Sequence, residues 1–493
     1  MRFLLPQVFS FLFLIQPFQI RAVDLENSGQ IEMKTPSSRR ASEVIELINS
    51  GHYTTIKSYI EKNYAPNFLK NVPVSAHLNF ILEKQDESQG IDIDGVDEES
   101  DTQQSLIIRY KSTDERYNFS VSTETDFLHK ITQILIKEIQ TNASPIVGYT
   151  RENATEDLDR FVSKLVDLDL FSGAILIAYR GRPFYRKAFG MANRDFAVPN
   201  NIETKFNLGS MNKMFTAVAI AQLVQNGELS FDDPLSKFFP QLPNPEDAKE
   251  IKIKHLLSHT SGLGSYWNKK FLDSSRTRFR TIEDMMTLID DSRVAFRPGS
   301  NWKYSNTGYL VLGSILEKVT GQSYFDYIRE NIYRPAGMVN SDCYELDFVN
   351  HNLAVGYYKD FSIDPPRLKN NIFEHVLRGG SAGGGYSTVD DLLSFDRALR
   401  FNTLINSQIT KLVLSGKPKL QSPDYGFGFQ IQSDPHIVGH GGGFPGISSN
   451  LDMFLDAGYT AIVMGNSDGG RRVAAKIKSL IRNIDETIWH DGL

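Results

Sequence analysis

The chain has 493 residues, 41% of them hydrophobic and 23% charged, with a formal net charge of -6 and a pI near 6.0. That length and apolar content exclude a disordered chain and argue for two domains with sizeable cores. The acidic balance gives no broad basic surface for nucleic acid, and a single cysteine, Cys343, excludes an intrachain disulfide.

Residues 1–22 carry a basic start at Arg2 and an apolar run reaching Ile15, the pattern of an export signal cleaved near Ala22. The shortness of the run, with Pro6 and Pro17, argues against a lasting anchor, so no stable membrane span is expected after its removal. A secreted, periplasmic or extracellular location follows as an expectation. Residues 23–40 are polar, with Ser, Lys and Arg, as in a flexible linker.

Residues 41–145 read as a small α+β unit. Helical apolar spacing runs over 43–49 and 53–64, and strand patterns over 105–110, 117–121 and 131–136. The acidic run Asp92-Ile93-Asp94-Gly95-Val96-Asp97-Glu98-Glu99 lacks the spacing and closing glutamate of an EF-hand loop and reads as a solvated loop. Asn118, Asn142 and Asn153 stand in Asn-x-Ser/Thr acceptor triplets for a host that glycosylates.

A polar hinge near 142–153 leads into a second unit, residues 150–493. It opens with an amphipathic helix at 157–168 and a hairpin of 174–179 and 184–189 turning through Arg180-Gly181-Arg182-Pro183. It ends with a hairpin of 447–455 and 460–465 and a helix at 471–484. If the two hairpins share one antiparallel sheet, the helices between them form a second lobe with a cleft at its border.

Three dispersed motifs carry the chemistry: Ser210-Met211-Asn212-Lys213, Tyr304-Ser305-Asn306 and His440-Gly441-Gly442-Gly443. A serine hydroxyl needs a base within hydrogen-bond reach, and a lysine three residues later on a helix supplies one, provided burial keeps part of it neutral. The run from Ser210 to Val224, closed by Gly227, has helical spacing, which places Ser210 at a helix N-terminus where developing negative charge is favoured. By itself Ser-x-x-Lys arises by chance about twice in a chain of this length. Two rivals are present. Gly379-Gly380-Ser381-Ala382-Gly383 matches a nucleophile elbow, and His255 and His259 have the i,i+4 spacing of a helical metal pair.

Order and flanking text add to these motifs. Phe171-Ser172-Gly173-Ala174, Asn207-Leu208-Gly209-Ser210, His255 through Leu263, Pro298-Gly299, Tyr304 through Tyr309 and Gly383-Gly384-Gly385 together resemble the beta-lactamase-like, penicillin-recognising serine hydrolases, especially the class C, D-alanyl-D-alanine carboxypeptidase and esterase branch. The resemblance implies an antiparallel sheet flanked by helices plus a helical lobe. It implies Ser210 as acyl-forming nucleophile, Lys213 as its proton partner, Tyr304 as a second acid/base group and Asn306 holding a substrate carbonyl. His440-Gly441-Gly442 falls where the family often has Lys-Thr-Gly, with the Gly443 N–H completing an oxyanion hole beside Gly442 and His440 helping proton transfer. No metal and no cofactor is implied, and the partner is a small-molecule or short-peptide substrate. The N-terminal unit is similar in outline to cystatin-like domains that precede such hydrolases. A catalytically silent binding or sensor protein on the same fold is the alternative.

Overall fold

The computed structural model describes residues 34–139, 145–240, 244–289 and 293–485. The export signal, residues 23–33 and the Asn142 acceptor lie outside them. Helix α1 (Pro36–Ser50) begins inside the stretch read as a linker, because Thr35 caps it: its hydroxyl accepts from the Ser38 N–H at 3.1 Å, and Pro36 occupies the first turn. Helices α2 (Tyr53–Asn63), α3 (Pro66–Asn71) and α4 (Val74–Ser88) follow, then a four-stranded antiparallel meander, β1 (Ile91–Glu99), β2 (Gln103–Tyr110), β3 (Arg116–Thr123) and β4 (Ile131–Glu138). Val44, Ile48, Ile56, Ile60 and Ile81 from the helices meet Leu106, Ile108, Phe119, Val121 and Ile131 from the sheet in one core.

The acidic run expected as a solvated loop is strand β1 instead. Arg109 on β2 reaches Asp92 at 2.8 Å and Asp94 at 3.2 Å, and Arg116 on β3 reaches Asp94 at 2.6 Å. Cross-strand pairing with these arginines removes the like-charge repulsion that favours a loop. Ile91, Ile93 and Val96 pack on the core side of the same strand.

The second unit starts with α5 (Arg151–Asp167) and the hairpin β5 (Gly173–Tyr179) and β6 (Arg182–Phe189). Its last strands are β7 (Gln430–Gln432), β8 (Ile437–Phe444), β9 (Ile447–Phe454) and β10 (Tyr459–Gly465). All six form one antiparallel sheet in the order β7-β8-β9-β10-β5-β6, so the start and the end of the unit pair along β5 and β10. Successive side chains of β5 serve two cores. Ala174 and Leu176 face the helical lobe, built on α6 (Asn212–Gln225), α7 (Asn306–Thr320) and α8 (Val389–Arg400), while Ile175 and Ile177 face α5 and the last helix, α9 (Gly470–Asn483). Helix α6 lies at the centre of the lobe and is buried almost all round, from Met214 to Leu223.

Arg472 of α9 fastens the two units. Its guanidinium donates to the Glu87 carbonyl at 3.1 Å and the Thr113 hydroxyl at 2.9 Å, and it pairs with Glu115 at 3.4 Å, all from the N-terminal unit. Lys359 adds an ion pair with Asp86 at 2.5 Å. Replacing Arg472 with alanine strands the Glu115 carboxylate and the Glu87 carbonyl in a partly buried seam. The expected outcome is a loss of roughly 2–3 kcal/mol in urea unfolding, read as a lower midpoint.

Candidate active site

The nucleophile turn is built by backbone contact. Gly209, at φ +51°, opens a single 3₁₀ turn over Gly209–Met211, and α6 begins only at Asn212. A Cβ on Gly209 would sit 3.0 Å from Gly442 and Gly443 backbone atoms, and one on Gly442 would sit 1.9 Å from the Leu208 carbonyl oxygen. Glycine is required on both sides of this contact so that Ser210 can lie against strand β8.

Lys213 follows one turn into α6 and is fully buried. Its Nζ lies 3.2 Å from Ser210 Oγ, 2.9 Å from Asn306 Oδ1 and 2.5 Å from the Ala382 carbonyl oxygen. Burial pushes its pKa well below the usual lysine value. The Tyr304 ring, 4.9 Å from Nζ, favours the cation only modestly. A neutral amine has two N–H donors and one lone pair. With two carbonyl oxygens taking both donors, the lone pair is left for the Ser210 hydroxyl. That is the geometry of a general base.

Tyr304 lies beside this pair. Burial pushes its phenol up, and a hydrogen bond with the Ser210 side chain pulls it partly back. Asn306 occupies the first position of α7, where Ser305 caps the helix by accepting the Gly308 N–H at 2.9 Å. With Asn306 Oδ1 committed to Lys213, its amide nitrogen is the group available to a substrate carbonyl.

Strand alternation identifies the oxyanion donor. The Gly441 N–H leaves the strand edge for Gln430 Oε1 at 3.1 Å, so the Gly443 N–H, two residues on, points to the same open edge. Gly442 has the opposite sense and pairs with Ser449 of β9. Of the two glycines expected in this role, Gly443 presents the donor and Gly442 supplies clearance.

His440 forms a wall of the cleft and is 2% exposed. Its Nδ1 must donate to the Gly441 carbonyl, 2.6 Å away, which leaves Nε2 to accept from the Tyr425 hydroxyl at 2.9 Å. Burial pushes its pKa down to about 3, with the Lys213 charge adding to the effect. Both ring nitrogens are occupied and the ring is neutral, so the expected proton-helper role gives way to a positioning one.

The rival constellations separate. Ser381 is 1% exposed in a turn closed by Gly380 and Gly383, each donating its N–H to the other's carbonyl, and it lacks the strand-to-helix setting of an elbow. His255 lies in the middle of a short helix, Ile253–Leu257, while His259 stands beyond it at φ +61°. His259 accepts the Ser305 N–H at 3.1 Å and stacks among Tyr304, Tyr309 and Tyr425. It orients the Tyr304-Ser305-Asn306 turn. Sequence reasoning missed Ala382 and Tyr425, whose contribution is a carbonyl and a hydroxyl brought in from distant segments without any local pattern.

A profile of the Beta-lactamase family matches residues 158–486. The chain belongs to the beta-lactamase family. Among family members, penicillin-binding protein 4* of Bacillus subtilis (strain 168) is 31% identical over 335 residues, 64% of this chain and 73% of the relative. Esterase EstB of Burkholderia gladioli is 28% identical over 319 residues, 57% of this chain and 80% of the relative. A crystal structure of a penicillin-binding protein from Bacillus halodurans superposes with a TM-score of 0.58 at 30% identity, covering 67% of this chain and 98% of that one. The second unit therefore has the fold of a family of serine hydrolases with penicillin-binding and esterase relatives.

Two outcomes follow from the geometry of the site, the first from the Lys213 environment. The folded pKa lies below the unfolded value of about 10.4, so the unfolded chain binds one more proton across that window and stability rises with pH there. Lys213→Met should abolish this rise in denaturation series at successive pH values, and should be the more stable protein at pH 7. The second outcome concerns Gly442→Ala, whose methyl would collide with the Leu208 carbonyl and displace the nucleophile turn and the adjoining oxyanion edge. It should lower kcat on a chromogenic ester by about a hundredfold or more.

Proposed function

We propose that the protein hydrolyses an ester or amide of a small molecule or short peptide, D-amino-acid peptides included, through an acyl-enzyme on Ser210. The observation that carries this reading is the buried Lys213 amine, its two donors on Asn306 and Ala382 and its third side on Ser210. Lys213 takes the Ser210 proton as Oγ attacks the carbonyl carbon. The oxyanion forms between the Ser210 and Gly443 N–H groups. Tyr304, in contact with Ser210, relays the proton to the leaving group, and the same pair then activates water to release the acyl group.

The cleft mouth supports an apolar substituent on the substrate. Trp267 from the helical lobe and Phe444 from the end of β8 have ring centroids 5.1 Å apart, with His375 6.4 Å from Phe444. Neutral His440 supplies no fixed cation where many relatives have lysine. Together these features favour an ester or amide with an apolar group over a substrate anchored there by a carboxylate.

Intact-mass measurement after treatment with a fluorophosphonate and a labelled penicillin tests the reading. A serine adduct on the wild type and none on Ser210→Ala is expected, and a folded wild type unlabelled by both reagents would instead support the silent binding protein. A penicillin adduct would mark peptidase-like selectivity, and a fluorophosphonate-only adduct esterase-like selectivity. Trp267→Ala should raise KM for a phenyl-bearing ester about threefold to tenfold with a smaller change for acetyl esters.

A further inference from the structure

A second site lies on the sheet face opposite Ser210. There a cavity of about 230 Å³ opens between the end of β4 in the N-terminal unit and helix α9, bordered by Glu138, Gln432, Asn450, Arg471, Lys478 and Arg482. The two faces are distinct by alternation along β9: Ser449 reaches across to the Asn207 carbonyl and Leu451 packs in the helical-lobe core, so Asn450 between them points the other way. Arg471, Lys478 and Arg482 stand at i, i+7 and i+11 on α9 and share one helix face.

The charges around this cavity do not cancel. Lys478 is paired with Asp452 at 3.2 Å, and Asn450 also donates to Asp452, at 2.6 Å. Among the described residues Arg482 donates to the Asp434 carbonyl at 3.4 Å, and its Nε is buried with no hydrogen-bond partner. The Arg471 backbone N–H is bonded to Ser448, but its guanidinium has no acceptor among the described residues. Glu138 is the remaining acid on the rim; burial raises its pKa against the pull of Lys478, Arg471 and Arg472, and its charge, with that of Asp434, also acts on Arg482. Arg471 and Arg482 thus face a polar cavity whose lining holds one acid, Glu138, so positive charge is in excess there. The buried Arg482 Nε without an acceptor is costly, and forked contacts to an oxyanion, shared with the exposed Arg471, remove that cost.

We propose that this cavity binds a small organic anion, a phosphate monoester or a dicarboxylate, held by Arg471 and Arg482, with Lys478 beside them. The excess of positive over negative charge in the lining selects an anion. The volume of about 230 Å³ suits a small anion. Because Glu138 belongs to the N-terminal unit and the arginines to the hydrolase unit, the ligand sits across the seam that Arg472 fastens.

Calorimetric titration of the full chain with inorganic phosphate and, separately, with succinate at constant ionic strength tests this. Saturable one-to-one binding of at least one of them is expected, weakened tenfold or more in both Arg471→Gln and Arg482→Gln and unchanged in Ser210→Ala. Phosphate binding alone would assign a phosphate ligand and succinate binding alone a dicarboxylate. Binding of neither, persistence of full affinity in the double arginine variant, or loss in Ser210→Ala would overturn the proposal. Arg471 is exposed, so its variant reads the loss even if Arg482→Gln fails to fold.

Discussion

The rest of the second unit depends on one constraint: a lysine amine with no counter-ion has to be buried beside a serine. An uncompensated ammonium is expensive in such a place, so the neutral form is favoured and the site becomes basic. Helix α6 accomplishes this by being buried almost all round, which leaves Lys213 no route to water. The two carbonyl oxygens that receive its protons come from opposite sides, Asn306 at the start of α7 and Ala382 in the glycine-rich turn ahead of α8. Thr216 and Asn212 hold that turn in place through the Ser381 and Gly380 carbonyls at 2.8 and 3.1 Å. The helical lobe is therefore a device for setting one proton equilibrium.

The second constraint is distance of approach. An oxyanion hole with one donor on a helix turn and another on a strand edge needs the two backbones within van der Waals contact, and side chains there would hold them apart. Gly209 and Gly442 remove those side chains at the point of contact. The strand carrying Gly443 is itself held by the six-stranded sheet, whose pairing of β10 with β5 joins the end of the chain to the beginning of the unit. Preorganisation of the donors thus rests on a fold-wide closure rather than on the loop alone.

Aromatic packing supplies the remaining rigidity. His259, neutral because burial and the neighbouring Lys213 and His440 disfavour its charged form, accepts one backbone N–H and fills the space among three tyrosines. Tyr425 in turn fixes the His440 tautomer. Two histidines that look catalytic by composition serve to orient Tyr304 and to line the cleft. The buried state of each decides this, since a buried ring with a depressed pKa stays uncharged at neutral pH and has no extra proton to give.

The sequence by itself determined what depends on short-range periodicity. A three-residue interval on a helix puts Ser210 and Lys213 on one face, and hairpin signals place β5, β6, β9 and β10 within a few residues of where they stand. Where local pattern misled, long-range partners were responsible: the acidic run became β1 because Arg109 and Arg116 face it, and Thr35-Pro36 started a helix inside an apparent linker. The tertiary structure alone decided which carbonyls accept from the Lys213 amine, which nitrogen of His440 bears hydrogen, and which arginines of α9 border the second cavity. The physical reason is the same in each case. A proton or a charge is placed by the atoms within hydrogen-bond reach, and for Lys213 the decisive carbonyl comes from a residue 169 positions away.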